Sequence, residues 1–207
     1  MTRALLICGV AAGPLYMLVY VAQALTRPGF DITRHPASVL SNGDLGWVQI
    51  ANFFVSGLLV IASAVGVRRA LHTGRGATWG PLLIALSGLG LIAAGVFVAD
   101  PMDGFPLGTP AGPPASMTTS GVLHFVAAAV GFAAWIAACF VFARRFAARG
   151  QGAWAAFSAA TGALFLAAFL GTATGSGPVV AFVAGVTLIW AWLAATSARL
   201  MTEATAT

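Results

Sequence analysis

The chain has 207 residues, of which 59% are hydrophobic and only 7% charged, far below the roughly 25% charged residues of a soluble domain; this excludes a soluble globular enzyme and a disordered chain alike. Its net charge of +5 and pI of 10.6 do not make it a nucleic-acid binder. All its basic residues are arginines, set in twos and threes at the ends of apolar runs rather than in a stripe with interleaved aromatics.

A helix needs about 20 apolar residues to cross a bilayer, and it must satisfy its backbone internally. Charge-free stretches run from Arg3 to Arg27, Asp44 to Arg68, Arg75 to Asp100, Asp103 to Arg144 and Arg149 to Arg199. The first predicts a helix over 4–25. Its basic start and small residues near position 11 resemble a secretory signal, but its apolar run exceeds the about 7–15 residues of a signal core, so it reads as a retained helix. The second and third predict helices over 47–67 and 79–99. The fourth opens with a Pro/Gly-rich loop and leaves one helix, 120–143. In the last stretch "GTATGSGP" marks a turn, dividing it into helices over 153–172 and 178–198. The expected fold is all-α, a polytopic bundle of six transmembrane helices forming a single integral membrane domain. The polar tail "RLMTEATAT" is expected to fray.

This topology puts Arg3, Arg68, Arg69, Arg75, Arg144, Arg145, Arg149 and Arg199 on one side and only Arg27 and Arg34 on the other. By the positive-inside rule both termini are cytoplasmic in the cell membrane, and the partners of the arginines are anionic lipid headgroups. Cys8 and Cys139 fall near opposite faces, too far apart for the about 7 Å that a disulfide allows between Cα atoms, and are expected to be free. The Gly- and Ala-rich third to fifth helices fit close packing within the bundle or a homo-oligomer interface.

The two long outer loops, 26–46 and 100–119, carry every aspartate and seven of the ten prolines. Asp31 and His35 are four apart. On a helical turn the carboxylate would orient one imidazole nitrogen and leave the other for a substrate, although Pro36 disfavours a helix through His35. Asp100 and Asp103 close the third helix at a spacing suited to a general acid beside an ionised neighbour, to a divalent cation, or to a solvated turn. His124 lies one turn inside the fourth helix, where an ionisable group is costly and points to function or to a satisfied core position. These five residues are the candidate catalytic set. No HxxxH or HExxH pair is present, so no metal and no cofactor is expected. Ser38, Ser41 and Ser120 are candidate nucleophiles without a GxSxG elbow to choose among them. Ser38, Ser41, Trp47, Phe97, Phe105 and Phe125 border the same face and are expected to bind a lipid or isoprenoid. Core packing or an interfacial aromatic belt explains the aromatics equally well.

"HPASVLSNGDLGW", "FVADPMDGFPLGTP" and "TTSGVLHF" resemble the three signatures of the DUF998 family of prokaryotic six-helix membrane proteins. The resemblance spans nearly the whole chain. It implies a fold and a site but no reaction, and points to His35, Ser38, Ser41, Gly46, Asp100, Pro101, Gly104, Pro106 and His124. The chain is also distantly similar to the Frag1/DRAM/Sfk1 membrane proteins, with Asn42 where their motif has aspartate.

Three functions are consistent with these residues. The first is an outer-leaflet enzyme using Asp and His as acid and base for cyclisation, hydrolysis or transfer on a lipid or isoprenoid. The second is a non-enzymatic structural or partner-docking protein. A small transporter is the third, and the absence of charged residues within spans and of inverted repeats speaks against it.

Overall fold

Six long helices account for most of the chain. In the computed structural model, which describes residues 1–204, they are α1 (Thr2–Thr26), α2 (Gly46–Leu71), α3 (Trp79–Val96), α4 (Thr119–Ala147), α5 (Gly152–Ala173) and α6 (Val179–Ala204). All six are long and apolar enough to cross a bilayer, and the protein is a multi-pass membrane protein. No β-strand forms among the described residues, and both cysteines are free.

Most helices overrun their charge-free stretches. α2 continues through Arg68 and Arg69, α4 through Arg144 and Arg145, and α6 through Arg199. Arginine is a good helix former whose stem covers apolar surface while its head reaches water, so a charge ends the span without ending the helix. The tail expected to fray is helical as far as Ala204. Glu203 accepts hydrogen bonds from Arg149 (3.3 Å), Gln151 (3.3 Å) and Arg199 (3.1 Å), tying the end of α6 to the α4–α5 turn; residues 205–207 lie outside the described ones. Only α3 stops short, at Val96 rather than 99.

Each helix packs on the one before it, and α6 returns to α1, closing a ring. Small residues bring the backbones close, which in lipid stands in for a hydrophobic driving force. A Cβ on Gly57 of α2 would lie 2.7 Å from the Gly88 carbonyl oxygen of α3, and one on Gly88 would lie 2.8 Å from that of Gly57. A polar ladder also crosses between α1 and α2. Gln23 donates to Gln49 (2.8 Å), Asn52 to the Tyr16 carbonyl (3.2 Å) and Ser56 to Asn52 (3.3 Å). Gln49, Asn52 and Ser56 recur every three or four residues, on one buried face of α2.

At the aspartate-bearing end the two long loops are knitted together. The first turns inward through a short 3-10 helix, Ala37–Ser41, which buries Val39, Leu40 and Ser41. The Arg27 guanidinium donates to the carbonyls of Leu40 and Asn42 and lies 4.8 Å over the Phe105 ring. Burial lowers its pKa from the ordinary arginine value, opposed by the charge of Asp44. Phe105 is 1% exposed and packs between Phe30 (5.4 Å) and His35 (5.7 Å).

Candidate functional site

After Val96 the chain runs extended to Pro101, and every backbone carbonyl so exposed needs a partner near a membrane. Side chains from elsewhere supply them. His124 of α4 meets Phe97, the Ser120 hydroxyl donates to Val98 (3.0 Å), and the Asn42 amide donates to Ala99 (3.0 Å). This early end to α3 makes the bed on which His124 lies.

His124 is 3% exposed. Its Nδ1 is 2.7 Å from the Phe97 carbonyl oxygen and 3.1 Å from that of Ala94. Carbonyl oxygens only accept, so Nδ1 carries the hydrogen and shares it between the two, and in the neutral ring the lone pair lies on Nε2. No group among the described residues meets Nε2. The Phe125 ring stands edge-on at 5.9 Å.

Asp100 is 8% exposed. Its carboxylate accepts from the Thr118 N–H (2.9 Å) and hydroxyl (2.6 Å), while the Thr118 hydroxyl oxygen accepts from the Gly121 N–H (3.0 Å). The carboxylate thus sits at the N-terminus of α4, where unpaired donors and the helix dipole favour it.

Asp31 and His35 do interact, but through the backbone. The Asp31 N–H donates to His35 Nδ1 (2.9 Å), so His35 carries its ring hydrogen on Nε2 and gives it to the Asp103 carbonyl (3.1 Å). Both ring nitrogens of a fully buried imidazole are therefore engaged in joining the loops. The Asp31 carboxylate faces outward. It accepts from the Thr33 N–H (2.8 Å) and hydroxyl (2.7 Å) and pairs with Arg34 (3.3 Å). The Thr33 hydrogen bonds, and secondarily Arg34 and His35, hold its pKa below the ordinary carboxylate value.

Asp103 adopts the left-handed region at φ 52°, which its short polar side chain tolerates. Its Oδ1 accepts from the Gly112 N–H (3.1 Å), and Oδ2 has no partner among the described residues. Asp100 and Asp103 therefore bind separate partners, Thr118 and Gly112. Among the described residues no three His, Cys, Asp or Glu side chains gather as metal ligands.

A cavity of about 590 Å³ opens beneath this cap and runs down between the helices. Of the candidate residues, His124, Asp103, Ser38 and Phe125 line it; Asp31, His35, Asp100, Ser41, Trp47, Phe97 and Phe105 do not. Ser41 is buried and donates to the Ser38 carbonyl (2.5 Å), and Trp47 is 65% exposed at the start of α2. Arg34 joins Asp103 and Ser38 near the mouth. The deeper wall comes from residues the sequence did not single out, among them Tyr16, Phe132, Trp135, Phe182 and Trp190. Aromatics within a span carry no signal that separates a cavity wall from a packed core.

Residues 10–199 match the model of a family described as protein of unknown function (DUF998). No curated protein and no solved structure matches the chain.

Proposed function

We propose that this chain, which belongs to the DUF998 family, holds a lipid or isoprenoid in the bundle cavity and performs acid–base chemistry on it with His124 and Asp103. The observation that carries the reading is His124 itself: a buried imidazole, fixed by the Ala94 and Phe97 carbonyls at the end of α3, on the wall of an apolar cavity inside a membrane protein. The volume falls within the roughly 300–1,000 Å³ of small-molecule sites. An apolar tail suits the aromatic lower wall, and a polar end suits the end of the cavity lined by Asp103 and His124, whose Oδ2 and Nε2 are both acceptors able to take a proton from a bound ligand. The distribution of arginines supports cytoplasmic termini and a mouth on the extracytoplasmic side of the cell membrane.

The test is D103N, and separately H124F, each inserted at wild-type level in cells lacking the native protein. The reading expects lipid extracts from either variant to resemble those of the deletion. Extracts matching wild type for both variants would remove the chemistry. One observation favours a second, non-enzymatic reading as a structural or docking protein: Asp31, His35 and Asp100 are engaged in holding the loops.

A further inference from the structure

The way His124 is held determines which ligand it can meet. Its Nδ1–H is committed to Ala94 and Phe97, which leaves Nε2 as the ring nitrogen with no hydrogen bond from the described residues, on a side chain that lines the cavity. A positive charge on the buried ring would be costly beside the Phe53 (6.3 Å) and Phe125 (5.9 Å) rings, so Nε2 presents a lone pair and accepts. A ligand that satisfies it must bring a hydrogen. An ester, ether or ketone brings another acceptor, and a hydrocarbon leaves Nε2 unsatisfied.

The cavity sets the remainder of the molecule. Along α4 it is lined from His124 to Trp135, eleven residues or about 16 Å at the rise of an α-helix. Over that length the lining is largely apolar, with Ala128, Ala129, Gly131 and Phe132 between the two ends and the buried Trp135 indole N–H, which has no hydrogen bond among the described residues, at the lower one. We infer that the cavity takes a lipid alcohol, a single isoprenoid or acyl chain whose hydroxyl donates to His124 Nε2, and that His124 is the proton acceptor of the site. This inference rests on the reading of the cavity as a lipid site, and it excludes protonation of a hydrocarbon by His124 as the opening step.

Trp135 and Trp190 line the cavity, so tryptophan emission reports its filling. The experiment titrates the full chain in lipid nanodiscs with farnesol, farnesyl methyl ether, farnesoic acid and oleyl alcohol. Farnesol is expected to bind about tenfold more tightly than its ether, a difference of about 1.4 kcal/mol and of the size of one buried hydrogen bond. In H124F the preference should fall below about twofold. Oleyl alcohol in place of farnesol as the tighter alcohol would make the source an acyl chain, with the hydroxyl requirement intact. Where H124F fails to insert, nitrogen NMR of the wild-type ring decides: Nε2 is expected unprotonated without ligand and shifted by farnesol. Equal binding of alcohol and ether, an alcohol preference that survives in H124F, His124-dependent preference for the acid, or a protonated Nε2 would each overturn the hydroxyl assignment while leaving the cavity a lipid site. No emission change with any probe would overturn both.

Discussion

His35 Nε2 lies 3.1 Å from the carbonyl oxygen of Asp103, a bond made across 68 residues of sequence. With the Asp31 N–H on its other nitrogen, the imidazole bolts one long loop to the other, flanked by Phe30 and Phe105. Replacing it by alanine removes packed aromatic volume and strands two backbone groups, a loss of about 2–4 kcal/mol. H35A is expected to lower the thermal midpoint of the detergent-solubilised protein. The folded fraction should still bind an alcohol probe, because His35 does not line the cavity. An unchanged midpoint with lost binding would assign His35 to the ligand instead.

Gly121 is the position that lets Asp100 reach α4. A Cβ there would lie 2.1 Å from Asp100 Oδ2, so G121A pushes the carboxylate off Thr118 and removes two charge-assisted hydrogen bonds. A loss of about 2–4 kcal/mol is expected. D100N, which keeps the shape and one good acceptor, should cost less. Equal melting of G121A and wild type would show that the carboxylate is not held where the geometry puts it.

The turn at Asp31 should be sensitive to acid. Its folded pKa is below the ordinary carboxylate value because the ionised form accepts from Thr33. The turn's added stability is therefore fully present above the ordinary value and is lost as pH falls through the lowered one. Amide hydrogen exchange at Thr33 is expected to speed up over that interval in wild type and to show no such step in D31N. The site is exposed, so global stability should barely respond.

Filling the cavity should block it without unfolding the bundle. Ala128 lines it beside His124 on α4, and A128F places a ring in open space rather than in a close-packed core. Stability within about 1 kcal/mol of wild type is expected, together with loss of the tryptophan response to every probe. Retained binding would move the ligand elsewhere.

The six spans were legible because stretches without charge leave few other structures possible in a bilayer. Their ends were not, since Arg68, Arg144 and Arg199 look like boundaries yet sit comfortably within helices. The gathering of Asp31, His35, Asp100, Asp103 and His124 at one end followed from topology. Their division of labour did not: side-chain direction depends on where α3 stops, and that stop depends on Asn42, Ser120 and His124 arriving from three other segments. Spacing suggested an Asp31 carboxylate orienting His35, whereas the contact runs through the amide. The ladder of Gln23, Gln49, Asn52 and Ser56 was readable in principle as polar residues on one face of an apolar span. None of the four ionises, so none breaks the charge-free stretches that mark the spans.

The ring order of the helices has a consequence for biogenesis. Every contact between successive helices can form as the chain emerges, but that of α6 against α1 waits until α6 has been made. The cavity draws walls from α1, α4 and α6 together, so it comes into being only when α6 docks. A chain stalled before α6 would present an open trough to the surrounding lipid, and a lipid already resting there would be enclosed as the ring shuts.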